Sequence, residues 1–128
     1  MLYDKVKFEV NSLFQKVLIA NRGEIALRIV RACREMDIKT VGVFSDVDRN
    51  LIHLRDVDQK VALGGNSPAE SYLNIDKILK ACHLTKVDAV HPGYGFLSEN
   101  VHFVQKLQEN GIAFIGPGVD VLRKMKNK

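Results

Sequence analysis

Tryptophan is absent from this 128-residue sequence, and cysteine occurs only twice. Cys33 and Cys82 are far apart, and each falls on the apolar stripe of a predicted helix. They read as small buried hydrophobes in a reducing compartment, not as a disulfide framework. No Cys and His residues group at metal-ligand spacing. No apolar run is long enough to cross a membrane. The N-terminus lacks a secretory apolar stretch, and Asp4 and Glu9 argue against a transit peptide. A cytoplasmic protein is the expectation. The formal net charge is +4, but Arg123, Lys124, Lys126 and Lys128 carry all of it, and the other 15 basic residues balance the 15 acidic ones. A neutral body with a basic tail, and no aromatic-interleaved basic patch, is a poor match for nucleic acid.

What is present is an alternation of strand and helix. Residues 1–13 are mixed and polar and read as an N-terminal extension. Strands are predicted at 16–20, 40–45, 60–63, 87–91 and 112–115. The first is apolar at consecutive positions, as a strand covered on both faces is. Between them, Ile25, Ile29, Cys33 and Met36 recur at helical spacing, as do Ile75, Ile78, Leu79 and Cys82, and then Val101, Val104 and Leu107. Asn74 and Ser98 are the predicted N-caps of the second and third helices, and Gly111 the terminator of the third. A short polar helical stretch is expected at 49–55, and a last turn of helix at 119–124 after the hinge-like Gly116-Pro117-Gly118. The fold class is α/β: a Rossmann-like parallel sheet with helices on both faces, wound by right-handed crossovers. The strand order is not legible.

Two strand-to-helix turns carry the chemistry. The first is Asn21-Arg22-Gly23-Glu24. It lacks the three glycines of a dinucleotide fingerprint, which disfavours nicotinamide or flavin binding, although an acidic residue of Ser45-Asp46-Val47-Asp48 stands where a ribose would be held. Simple helix initiation explains it equally well, with Asn21 as cap and Gly23 permitting the turn. The second is His91-Pro92-Gly93-Tyr94-Gly95-Phe96, where two glycines bracket an aromatic ring at the rim of the sheet. Tyr94 and Phe96 either face a ligand or pack on neighbouring helices. His91 reads as a hydrogen-bonded structural residue; His53, His83 and His102 read as surface or helix residues. Arg28, Arg31 and Glu35, at i, i+3 and i+7, form a charged stripe that is either solvated or a self-complementary interface. No Walker loop and no Ser/His/Asp arrangement stands out.

Residues 17–29, Ser71-Tyr72-Leu73-Asn74, residues 91–100 and Phe114-Ile115-Gly116-Pro117 occur in an order and spacing that resembles the N-terminal, pre-ATP-grasp domain of biotin carboxylase, over residues 14–128. The resemblance implies an enzyme that activates bicarbonate with MgATP, as carboxyphosphate, and carboxylates biotin on a carrier protein or domain for a carboxyltransferase. It implies that Tyr94 and Gly95 lie beside the biotin ring, and that Arg28, Arg31 and Glu35 belong to a homodimer interface of the full-length enzyme. Lys128 matches a lysine that reaches ATP, but Lys126 and Asn127 replace the family's Gly and Asp. The family's ATP-grasp lysines, acidic Mg2+ ligands and bicarbonate-binding arginine come later than residue 128. The expectation is therefore a piece of a larger carboxylase, inactive alone. The alternative is a non-catalytic interaction module that dimerises with or regulates a full-length carboxylase.

Overall fold

Val17 and Ile19 face one core, Leu18 and Ala20 another, and all four are fully buried. That two-sided burial is why residues 16–20 are apolar without alternation. The structure, a computed structural model, describes residues 14–116. The extension at 1–13, the helix expected at 119–124 and Lys128 lie outside the described residues.

The elements are β1 (Lys16–Ile19), α1 (Gly23–Glu35), β2 (Lys39–Phe44), two 3-10 turns (Asp46–Asp48 and Ile52–Arg55), β3 (Gln59–Ala62), α2 (Ile75–Thr85), β4 (Ala89–His91), α3 (Val101–Glu109) and β5 (Ala113–Phe114). All strand pairs are parallel, in the order β3-β2-β1-β4-β5. Leu18 of β1 sits in register with Val41 of β2 and Val90 of β4. α1 covers one face, its Ala26, Ile29, Val30 and Cys33 packing with Val17 and Ile19. α2 and α3 cover the other, where Ile78, Cys82, Phe103 and Leu107 pack with Leu18, Val41, Val43 and Val90. Burying each such large side chain contributes about 2 kcal/mol.

The polar helix expected at 49–55 is replaced by the two 3-10 turns. This segment crosses between neighbouring strands and seats Leu54 close to the sheet. A Cβ on Gly42 of β2 would lie 3.0 Å from Leu54 Cδ2 and 3.1 Å from Val57 Cγ1, so glycine is what admits it. His53, read as a surface or helix residue, lies in the second of these turns but is not at the surface: it is turned inward with Leu54 and wholly buried, and neither ring nitrogen makes a well-aligned hydrogen bond. His83 and His102 are exposed, as expected.

Asn74 caps α2, its Oδ1 accepting the Lys77 N–H at 3.1 Å. The start of α3 differs from expectation. Residues 95–100 form a turn in which the Ser98 N–H donates to the Gly95 carbonyl at 2.9 Å. The helix therefore begins later, and Asn100 rather than Ser98 caps it, accepting the Phe103 N–H at 2.9 Å. Asn100→Ala is expected to cost about 1 kcal/mol in urea denaturation, and Ser98→Ala a few tenths at most. Equal losses would contradict the capping assignment. Gly111 follows the helix at φ +69°, as expected of a terminator. No helix among the described residues is long and apolar enough to cross a membrane.

Candidate functional site

The strand order reverses between β1 and β4. β1 runs into α1 on one face of the sheet and β4 runs on to α3 on the other, so their turns part and leave a crevice at the carboxyl ends. Residues 21–25 form one wall and residues 94–96 the other, around an open cleft of about 470 Å³. The two turns singled out in the sequence thus meet in space.

Asn21 joins them. It is buried, and its Nδ2 donates to the Pro92 carbonyl at 2.7 Å and to the Tyr94 carbonyl at 2.7 Å. Its Oδ1 accepts the Arg22 N–H at 2.8 Å. Asn21 is therefore not the cap of α1. Arg22 occupies that position without a side-chain cap bond, while Gly23 makes the turn at φ +63°.

Opposite, Gly93 and Gly95 hold φ values of +67° and +74°, and Tyr94 stands between them 45% exposed, at the crevice rim. Phe96, on the same wall, packs on Tyr72, ring centroids 5.2 Å apart. Of the two aromatics, one is packed and one is presented. His91 is buried, its Nδ1 accepts the Gly93 N–H at 3.0 Å, and burial pulls its pKa down to about 4. It is a neutral structural group at physiological pH. The Gly95 N–H has no hydrogen-bond partner among the described residues.

A second group of contacts fixes the first wall. Arg22 grips Asp48 with two bonds, Nε to Oδ2 at 2.6 Å and Nη2 to Oδ1 at 2.9 Å. The buried Tyr72 hydroxyl donates to the same Oδ2 at 2.6 Å and accepts the Ser45 N–H at 3.2 Å. The Arg22 bonds, more than the Tyr72 bond, hold the Asp48 carboxyl down at about 2. Burial, then the bond to Asp48, raises the Tyr72 phenol. Asp48 is thus committed within the protein and cannot hold a ribose. Nothing local in the sequence signals this network, because its members lie 24 to 27 residues apart.

Arg28, Arg31 and Glu35 lie on the outer side of α1, and Arg28 pairs with Glu24 at 3.1 Å. They are not drawn into the crevice. Cys33 and Cys82 are buried free thiols, each pushed up by burial to about 12, so neither is a nucleophile. Among the described residues no group of three or more His, Cys, Asp or Glu could hold a metal ion.

A doubly wound parallel sheet that presents, among the described residues, an aromatic ring and an unpaired backbone donor at its switch point, without a dinucleotide fingerprint, defines a Rossmann-like α/β domain. Comparison with known proteins makes this particular. Residues 13–122 match the family described as "Biotin carboxylase, N-terminal domain", and the chain belongs to that family. It is similar to biotin carboxylase of Haemophilus influenzae, 53% identical over 116 residues, covering 91% of this chain and 26% of that protein. It is similar to the mitochondrial propionyl-CoA carboxylase alpha chain of Sus scrofa, 49% identical over 115 residues, covering 90% of this chain and 16% of that one. Among solved structures, the urea carboxylase of Kluyveromyces lactis superposes with a TM-score of 0.87 at 49% identity, over 89% of this chain and 10% of that one. The chain thus spans about a quarter of the bacterial biotin carboxylases it matches.

Proposed function

We propose that this chain supplies the N-terminal domain of a biotin carboxylase, which carboxylates biotin on a carrier protein or domain with MgATP and bicarbonate. In this reading its switch-point crevice is one wall of the biotin site. The observation that carries it is Tyr94, presented between two left-handed glycines and beside the Gly95 N–H, which has no partner among the described residues. These groups fit a flat uncharged ring with a polar edge. The aromatic face supplies contact area, Gly95 puts no side chain in the way, and its N–H offers one donor to an acceptor oxygen. Arg22, the cation on the facing wall, is already held by Asp48 and imposes no demand for an anion.

Phosphate and Mg2+ contacts are assigned to parts of the enzyme beyond the described residues. Transferring a phosphoryl group to bicarbonate needs several positive groups placed on developing charge, and among the described residues this crevice offers none that is uncommitted. On this proposal the 128-residue polypeptide does not carboxylate biotin by itself. The stripe of half-buried Arg28 and exposed Arg31 and Glu35 is the face on which two copies meet in the assembled enzyme. It would serve equally in a non-catalytic module that binds a full-length carboxylase. The carrier and a carboxyltransferase are the other partners. Free buried thiols suit a cytoplasmic setting.

The test is a chimera in which this chain replaces the matching N-terminal quarter of the Haemophilus influenzae enzyme. It is expected to hydrolyse ATP in a manner dependent on both biotin and bicarbonate. Tyr94→Ala in that chimera is expected to lower kcat/KM for biotin about tenfold while KM for ATP stays within about twofold. Because Tyr94 is 45% exposed, the same change in the 128-residue chain should leave its thermal midpoint nearly unmoved. An inactive chimera that folds, or a Tyr94→Ala variant with full kcat/KM for biotin, would overturn the reading.

A further inference from the structure

We infer that Asn21 is a positioning residue whose carboxamide sets the direction of the Tyr94–Gly95 peptide and so aims the Gly95 N–H into the crevice; its bearing on biotin rests on the function proposed above.

The geometry follows from peptide planarity. All described peptides are trans, so each carbonyl points opposite to the next residue's N–H. The Pro92 carbonyl points at Asn21 Nδ2, and the Gly93 N–H accordingly points the other way, where His91 Nδ1 accepts it at 3.0 Å. The Tyr94 carbonyl also points at Asn21 Nδ2, at 2.7 Å, and the Gly95 N–H must likewise face away from Asn21. Gly95 lines the crevice, and that N–H finds no partner among the described residues.

The task demands asparagine. Two converging carbonyls need two N–H donors on one atom, and the Arg22 N–H needs an acceptor on the next. Aspartate matches the shape but turns a lone-pair oxygen towards both carbonyls. Glutamine is too long for the space, since even a Cβ on Gly93 would lie 2.8 Å from Asn21 Nδ2. Alanine leaves two carbonyls and one N–H without partners. Gly95, already at φ +74°, can accommodate a flip of the peptide before it, so the alternative orientation is accessible.

Asn21→Asp is therefore expected to flip the Tyr94–Gly95 peptide, bringing the Gly95 N–H onto the new carboxylate. In 1H–15N spectra of the 128-residue chain, the Gly95 amide signal should move downfield and its hydrogen exchange should slow. Asp58→Ala, which removes the acceptor of the Thr40 N–H and hydroxyl at the amino end of β2, opposite the crevice, controls for general loosening and should leave that signal in place. If Asn21→Asp does not fold, Asn21→Ser keeps one donor, and the Gly95 signal reads the same question. In the chimera, Asn21→Asp is expected to lower kcat/KM for biotin about tenfold, with KM for ATP within about twofold. A folded Asn21→Asp whose Gly95 amide is unmoved overturns the inference, as does an equal rise in both KM values. An inactive unmutated chimera counts against the proposed function alone, because the amide signal is read on the chain itself.

Discussion

Asp48→Ala is expected to lower the unfolding free energy by about 2–4 kcal/mol near neutral pH, a large share of a small domain's stability. Three groups lose their partner at once: both donors of Arg22 and the hydroxyl of Tyr72. The Asp48 side chain is 7% exposed, whereas Arg22 is 43% exposed. Water therefore screens part of the attraction, and the loss falls below the figure for a wholly buried pair. The Tyr72 hydroxyl, by contrast, sits beneath the loop and has no water to turn to. The pH dependence has a fixed sign. The folded carboxyl titrates at about 2, below its ordinary 3.8, so its contribution is fully present above pH 4 or so and is lost as pH falls towards 2. That part amounts to about 2 kcal/mol. Urea denaturation at pH 7 and at pH 3 should show the gap between wild type and Asp48→Ala narrowing at the lower pH. A gap below about 0.5 kcal/mol at pH 7 would mean that the network merely decorates the surface. The expected loss also explains why Tyr72, in a motif with no evident chemistry, stands where it does. It ties the β2 turn, through Asp48, to Arg22 at the crevice and stacks on Phe96 of the opposite wall.

The parts of this fold carried by local periodicity were readable in the sequence. Consecutive apolar residues at 17–20 marked a central strand, the i, i+3, i+4 spacing marked three helices, and Asn74 and Gly111 marked a cap and a terminator. Caps compete, however. Ser98 and Asn100 are both good candidates, and the choice fell to Asn100 because the Gly95–Ser98 turn consumed the residues before it. The burial of His53 was hidden for a similar reason. It does lie in a short helical turn, but only the missing side chain of Gly42, on a strand elsewhere in sequence, makes room for this segment to press inward. The crevice was legible as two turns but not as one place. Strand order decides which turns face each other, and no periodicity encodes it. The tie itself, Asn21 to a turn 71 to 73 residues away, looked like an ordinary helix cap because asparagine serves both purposes.

Gly93→Ala is expected to destabilise the domain by about 3–4 kcal/mol, and Gly95→Ala, two residues on, by only about 1–2 kcal/mol. Both glycines hold positive φ, so both variants bear the cost of a Cβ in the left-handed region. Their surroundings separate them. At Gly95 nothing lies within 4 Å of the added Cβ, so strain is the whole effect. At Gly93 the Cβ would stand 2.8 Å from Asn21 Nδ2 and 2.8 Å from Ile25 Cγ2. Neither neighbour has room to give. Asn21 is fixed by three hydrogen bonds, and Ile25 belongs to the first turn of α1. The turn must therefore move off Asn21, and the bonds to Pro92 and Tyr94 are lost with it. Urea denaturation of the two variants under one set of conditions gives the comparison. Equal losses would show that Asn21 yields easily and that the two turns are joined only loosely. A gap of about 2 kcal/mol would show the opposite: that the crevice is held rigid by one carboxamide, and that glycine is required at 93 by the closeness of the facing loop and at 95 by backbone conformation alone.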